Sequence, residues 1–400
     1  MPPGAVPGIA SGPVPGETGA ITSGPPPGGT PNGTPNGTPD GTPGGMPGGT
    51  PNGTPGVAPG AWRRFFCLAA GTAAAIIGVL FVFVTLADPW DSLPLSPPLP
   101  RAPVTASQRF AYPALARSPR FDSAVFGTST SRLLRPSALN QSFHARFANL
   151  AMNDATPWEQ TQLMRVFLRA HPTASRLILG LDVKWCQTGE TIPRLTPRPF
   201  PDWLYADSLW RGHREMLNLY AIQEAGKQFG VLTGLKREEQ GRDGYTVFVP
   251  PDDRYDRDRA QAHLREDGVT MPPGSRSGPP EEWLFPAFDD LRALLETLPA
   301  DSETVLFFVP YHRVRLAPPG HPAAPVWAEC KQRAVSLAHD LGRVLVVDFM
   351  KPGPITDDDD GYWDAQHYRV SVADRVARDL AEASRGEESP DYDILFLPGR

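Results

Sequence analysis

The chain has 400 residues, with 38 Lys and Arg against 44 Asp and Glu and a formal charge of −6. The first 87 residues hold only Arg63, Arg64, Glu17 and Asp40, two charges of each sign, so the whole of that −6 sits downstream. A net-negative chain with no basic stripe excludes a nucleic-acid-binding module, and the roughly 300 residues that follow suffice for one large domain with a full core.

Residues 1–61 contain almost no charged or large apolar side chain and repeat Gly-Thr-Pro-Asn between Gly29 and Thr54. Such a tract cannot bury enough apolar surface to offset its backbone entropy, which predicts a disordered tail, either a solvated spacer or a repeat that binds a partner. Within residues 62–87 the run from Phe65 to Ala87 reads FFCLAAGTAAAIIGVLFVFVTLA, without a charge. It is long enough to cross a hydrocarbon core of about 30 Å as a helix. A secretory signal would have a shorter apolar core near the start of the chain. Arg63 and Arg64 flank its N-terminal end, and Asp88 and Asp91 its C-terminal end. The positive-inside rule then predicts a single-pass protein of the inner membrane, held in the bilayer by residues 65–87, with a cytoplasmic tail and a periplasmic remainder.

Residues 88–119 read as a juxtamembrane linker, 120–385 as a folded domain and 386–400 as a C-terminal tail. In the domain, short β-branched runs alternate with helical patterns. Strands are predicted at Ser123–Phe126, Arg176–Leu181, Thr304–Val309 and Val344–Phe349. Helices are predicted at Glu159–Ala170, Glu282–Leu298, Ala328–Leu341 and Val370–Ala383. This alternation predicts an α/β class, a mainly parallel sheet with helices on both faces, whose ligands bind beyond the C-terminal strand ends. Gly127, Gly180, Pro310 and Asp348 fall at those ends. The stretch 185–280 breaks the rhythm with Pro193, Pro197, Pro199 and Pro201, a helix predicted over Ser208–Phe229, and a charged run over Asp252–Asp258. It reads as an insertion above the rim: either a cover whose Phe200, Trp203, Tyr205 and Trp210 suit sugar rings, or a surface excursion packed on its own aromatics. Cys67 lies in the membrane segment, leaving Cys186 and Cys330 either as a disulfide or as two buried thiols.

Two places carry chemistry. Gly127-Thr128-Ser129-Thr130-Ser131-Arg132 sits where the first strand hands over to a helix, so Ser129 is either a nucleophile exposed at the sheet edge or a helix cap. Asp364-Ala365-Gln366-His367 follows the last predicted strand. An Asp three residues before a His can accept one imidazole proton and leave the other nitrogen as a base. Tyr311-His312 follows a strand and either lines the site or makes an ordinary loop contact. Asp348 is either support for the site or a turn contact. The acidic run Asp357–Asp360 lacks the ligand spacing and glycine of a calcium loop and reads as solvated.

With the chain order Ser, Asp, His, the domain resembles the SGNH (GDSL-like) hydrolases. The serine block, usually Gly-Asp-Ser, is here Gly127-Thr128-Ser129, and the Asp-x-x-His block is intact as Asp364-Ala365-Gln366-His367. Asn149–Thr156 stands where the family has an oxyanion glycine, without one, and Gly180-Leu181-Asp182 replaces Gly-x-Asn-Asp. The anchor-plus-domain layout is similar to membrane-anchored envelope proteins of this superfamily, among them the alginate O-acetylation proteins. The resemblance implies a flavodoxin-like three-layer fold and a serine esterase or O-acetyltransferase acting on an envelope or secreted polysaccharide. Its catalytic residues would be Ser129, Asp364 and His367, with Gly127, Asn153, Asp182 and His312 around the oxyanion and substrate. Its partners would be an acylated polysaccharide or acyl donor and envelope proteins, and no cofactor or metal is required. The alternative is a catalytically inactive scaffold of the same fold that binds polysaccharide or export machinery.

Overall fold

The computed structural model describes residues 59–299 and 302–399, so the tail expected over 1–61 lies outside the described residues apart from positions 59–61. The apolar run forms helix α1 (Pro59–Ala87), long and apolar enough to cross a membrane by length and composition. Its last turn does not end in open linker. Val84 and Ala87 are buried and Phe83 lies 5.9 Å from the ring of Phe229. Arg101, itself 8% exposed, donates from Nε to Ala87 O at 2.8 Å and from Nη2 to Leu86 O at 3.0 Å. A cation on the last unpaired carbonyls of a helix satisfies them and suits the negative end of the dipole. The sequence expectation of a linker over 88–119 is corrected here, because this stretch caps α1 and then forms α2 (Gln108–Arg117), whose Tyr112 is fully buried.

Six strands make one sheet: β1 (Ser123–Phe126), β2 (Phe147–Asn149), β3 (Arg176–Leu181), β4 (Glu303–Phe308), β5 (Val344–Asp348) and β6 (Asp393–Phe396), in the order β2-β1-β3-β4-β5-β6. The first five are parallel and β6 runs antiparallel to β5. Strands β1, β3, β4 and β5 are buried along nearly their whole length, as strands covered on both faces must be. Between β1 and β2 comes α3 (Pro136–Phe143), and between β2 and β3 comes α4 (Pro157–Ala170). The β3–β4 connection contains α5 (Asp202–Tyr205), α6 (Gly212–Glu215), α7 (Leu219–Leu232), α8 (Arg257–Glu266) and α9 (Pro286–Leu295). After β4 and β5 follow α10 (Ala324–Leu341) and α11 (Val370–Ser384).

The chain steps from β1 outward to β2 and then back across β1 to β3, so right-handed crossovers place α3 on one face and α4, α9 and α10 on the other. The packing follows that rule: α3 lies against α11, α4 against α9, and α9 against α10. The direction reverses between β1 and β3, which opens a crevice at their C-terminal ends, where ligands of open α/β sheets bind. Ser129 follows β1 at that reversal.

Two covalent or ionic ties hold the layers. Arg109 on α2 forms a two-pronged pair with Glu159 on α4, Nε to Oε1 at 3.0 Å and Nη2 to Oε2 at 2.6 Å, with both side chains buried. Glu159 also completes a capping box with Thr156, which fixes where α4 begins. Removing one member would strand a buried charge and cost about 3–5 kcal/mol. Cys186, just beyond β3, is disulfide-bonded to Cys330 on α10, Cα atoms 5.4 Å apart. This decides the alternatives that composition left open.

Two further expectations are corrected. The helix predicted over 208–229 is two helices, α6 and α7, because Asn218 turns the chain and its Oδ1 accepts from Ala221 N at 2.9 Å as an N-cap. Residues 386–400 are not a detached tail, since β6 lies among them and pairs Ile394 with Val347.

Candidate active site

The serine turn is shaped by what lies under it. Gly127 has φ 138°, a conformation L side chains rarely adopt, and a methyl group on either Gly127 or Gly180 would overlap Ser131 Oγ. Both glycines therefore let Ser131 tuck inward beneath the turn. Thr128 is buried and its hydroxyl donates to Asp182, which also accepts from Lys184 N at 2.9 Å. Burial pushes the Asp182 carboxyl above its ordinary value, against the hydrogen bond from Thr128. With Thr128 and Thr130 buried on either side, Ser129 is the half-exposed residue of the turn.

The second half of the site arrives from the other end of the sheet. Ser129 Oγ lies 2.8 Å from His367 Nε2. His367 Nδ1 lies 2.8 Å from Asp364 Oδ2 and 3.0 Å from Oδ1. Asp364 Oδ1 also accepts from the backbone N–H of Gln366 at 2.8 Å and of His367 at 2.9 Å. Burial pushes the Asp364 carboxyl up, but these hydrogen bonds and the imidazole outweigh it and hold the group below its ordinary value. An ionised Asp364 can only accept, so it fixes the imidazole proton on Nδ1 and leaves Nε2 as acceptor for the serine hydroxyl.

The loop bearing this pair is braced from three directions. Tyr368 Oη donates to Thr130 O at 2.8 Å, tying it to the serine turn. His312 N donates to Ala365 O at 3.0 Å. From the β3–β4 connection, His263 Nδ1 lies 3.1 Å from Trp363 O, and Tyr255 Oη donates to Tyr362 O at 3.0 Å.

No family model matches this chain, and neither does any curated protein.

Of the seven residues expected around the site, Ser129, Asp364 and His367 meet directly. Asn153 reaches the same neighbourhood: its Oδ1 accepts from Arg132 Nη1 at 2.7 Å, and the guanidinium lies over the ring of Phe248, which meets the His367 ring edge-on at 5.3 Å. Among the described residues nothing pairs with the Asn153 Nδ2 donor or with the Ser129 N–H. The remaining three act elsewhere. Gly127 sets the turn and gives its carbonyl to Met152 N at 2.9 Å. Asp182 is 4% exposed beneath the turn, holding Thr128 rather than facing a ligand. His312 is 1% exposed, with Nε2 3.1 Å from Asp359 Oδ1, and supports the Asp364–His367 loop from behind. Burial lowers its pKa, with Asp359 opposing.

For the insertion's aromatics the structure favours the second alternative: Phe200 stacks on Tyr205 at 4.3 Å and Trp203 meets Trp90 at 5.8 Å, so these three pack on one another and on the stretch 88–119, while Trp210 is exposed. Phe248, which no pattern marked, is the insertion residue that reaches His367. Asp348 is paired with Lys331 Nζ at 2.6 Å, a structural ion pair. In the acidic run, Asp359 meets Arg313 and Asp360 meets Arg257, and no cluster able to hold a metal occurs among the described residues.

Proposed function

We propose that this chain is a membrane-anchored, SGNH-like serine esterase or O-acetyltransferase with a flavodoxin-like three-layer domain, acting outside the cytoplasmic membrane on an envelope or secreted polysaccharide. The observation that carries the reading is the continuous hydrogen-bonded line from Ser129 Oγ through the His367 imidazole to Asp364. It joins residues 238 positions apart, one at the switch point of the sheet and one beyond its last parallel strand. A helix-capping serine has no need of such a partner.

The chemistry follows from that line. Ser129 Oγ attacks the acyl carbonyl while its proton passes to His367 Nε2, and Asp364 stabilises the resulting imidazolium. The tetrahedral oxyanion is met by the Ser129 N–H and the Asn153 amide. Collapse breaks the ester bond, and His367 returns the proton to the departing alkoxide. Water, or a sugar hydroxyl in the transferase case, then attacks the acyl-serine with His367 again as base. One donor fewer than a full oxyanion hole costs about 3–4 kcal/mol of transition-state stabilisation, so turnover is expected to be slow. The lack of a glycine donor in Asn149–Thr156 and of an asparagine donor in Gly180-Leu181-Asp182 is what favours the second reading, a binding scaffold.

The extracytoplasmic placement is supported by Arg63 and Arg64 before the apolar helix and by the Cys186–Cys330 disulfide, a bond that persists in oxidising compartments. Release of acetate from 4-nitrophenyl acetate and from acetylated polysaccharide tests the proposal. Activity abolished by Ser129→Ala and retained in Ser131→Ala supports the enzyme; identical rates in wild type and Ser129→Ala leave the scaffold.

A further inference from the structure

Arg132 is a cation out of place. It is 5% exposed, yet no carboxylate among the described residues lies within 4.0 Å of its nitrogens. Buried arginines are normally paired, because an uncompensated charge in a low-dielectric interior is costly. The neighbours of this one are neutral: the Asn153 Oδ1 at 2.7 Å, the face of Phe248 with the guanidinium carbon 5.1 Å from its centroid, and the Tyr112 phenol. Burial pushes that phenol up while the Arg132 charge opposes it, which marks their proximity. Asp243 also acts on Tyr112, but its Oδ1 accepts from Tyr245 N at 3.1 Å and it makes no ion pair with Arg132. Arg132 Nε is buried without a partner.

Its position gives the missing counter-charge a source. Arg132 lies three residues after Ser129, holds the amide of Asn153, and sits under Phe248, whose ring also touches His367. Phe248 is 39% exposed and belongs to the insertion, so the cover over the guanidinium faces solvent on its other side. We propose that Arg132 is the receptor for a negatively charged group, a carboxylate or a phosphate, carried by the substrate beside its scissile ester, with Phe248 as the cover that this group displaces. The planar fork of a guanidinium fits both anions through two parallel N–H donors. Arg132 is thus a specificity residue: it selects anionic acyl substrates by pairing with the charge they carry beside the ester. This inference rests on the serine-hydrolase reading above.

The test measures the rate at which a neutral fluorophosphonate labels Ser129 in the full-length protein in detergent, at constant ionic strength, with acetate, succinate or phosphate replacing chloride. Labelling of the wild type should slow about ten-fold at saturating anion, whereas the ratio of rates with and without anion should be near one in Arg132→Gln. Arg132→Lys, which keeps the charge without the fork, should show intermediate protection. The succinate and phosphate arms separate the two sources of charge. Normal labelling with no anion protection, or equal protection in Arg132→Gln, overturns the inference and leaves the serine reading standing. If Ser129 does not label at all, that reading fails, and the rise in Tm with the same anions decides the inference alone. A rise in wild type that is lost in Arg132→Gln supports an anion site; equal shifts in both overturn it.

Discussion

The two sides of the serine are built to different standards. On the base side every polar group is over-determined. Asp364 takes hydrogen bonds from the His367 ring and two backbone N–H groups, and its loop is fastened by Tyr368, His312, His263 and Tyr255. On the acyl side the Ser129 N–H and the Asn153 Nδ2 donor have no partner among the described residues, the Asn153 Oδ1 being held by Arg132, and that buried arginine has no counter-ion among them. Under the proposed serine-hydrolase reading, the contrast means that the line from Ser129 to Asp364 is already assembled in the free protein, while the side that would meet a substrate is left open for one. Binding strength held back for the reacting state is what accelerates chemistry, whereas a base already oriented needs no reorganisation.

The largest expected effect comes from breaking the line at its first member. Ser129→Ala should reduce ester turnover roughly 10⁵- to 10⁶-fold, measured as acyl release, with little change in Tm because Ser129 is half-exposed. Asp364→Asn should cost about 10⁴-fold, since an amide no longer fixes the imidazole proton on Nδ1. On the open side, Asn153→Ala should lower kcat about 10²- to 10³-fold with KM nearly unchanged, as for a donor used only in the transition state. A comparable fall in both variants, with a rise in KM for Asn153→Ala, would mean that the two sides are not distinct. Tyr368→Phe removes one brace, Oη to Thr130 O at 2.8 Å, and should destabilise the domain by about 1 kcal/mol in denaturant unfolding, with a few-fold loss of kcat.

The smallest effect concerns pH. The Asp364 carboxyl titrates below its ordinary value when folded, so its contribution to stability is complete above the unfolded value, near pH 4, and is lost as pH falls through the folded value. The difference in Tm between wild type and Asp364→Asn should therefore be constant near neutrality and shrink below about pH 4. A gap that widens on acidification contradicts the hydrogen-bonding account of this carboxylate.

What was legible in the sequence followed from local chemistry. Strand periodicity placed β1, β3, β4 and β5 nearly to the residue, and a serine turn and an Asp-x-x-His block carry their meaning in three or four positions. What escaped was tertiary. Strand β2 has three residues and β6 has four, too short for a periodic signal against turn-rich flanks. Asn218 inside a helical pattern is a weak local mark, though its capping side chain decides where α7 starts. Asp182 enters through the family's third block and His312, after a strand, is either a lining residue or an ordinary loop contact; whether such a side chain faces a ligand or the inside of a turn is settled by its neighbours. Arg132 and Phe248 had no signal: one is informative only because no acid meets it, the other because a proline-rich excursion happens to end on the imidazole.

The central claim is that His367 has made Ser129, and not its neighbours, a nucleophile. The most direct measurement is peptide mapping by mass spectrometry of the full-length protein after reaction with a neutral fluorophosphonate. The account predicts one phosphonyl adduct, on Ser129, that disappears in His367→Ala and persists in Ser131→Ala. Absence of any adduct, or an adduct on Ser131 or Thr130 that survives His367→Ala, would contradict it.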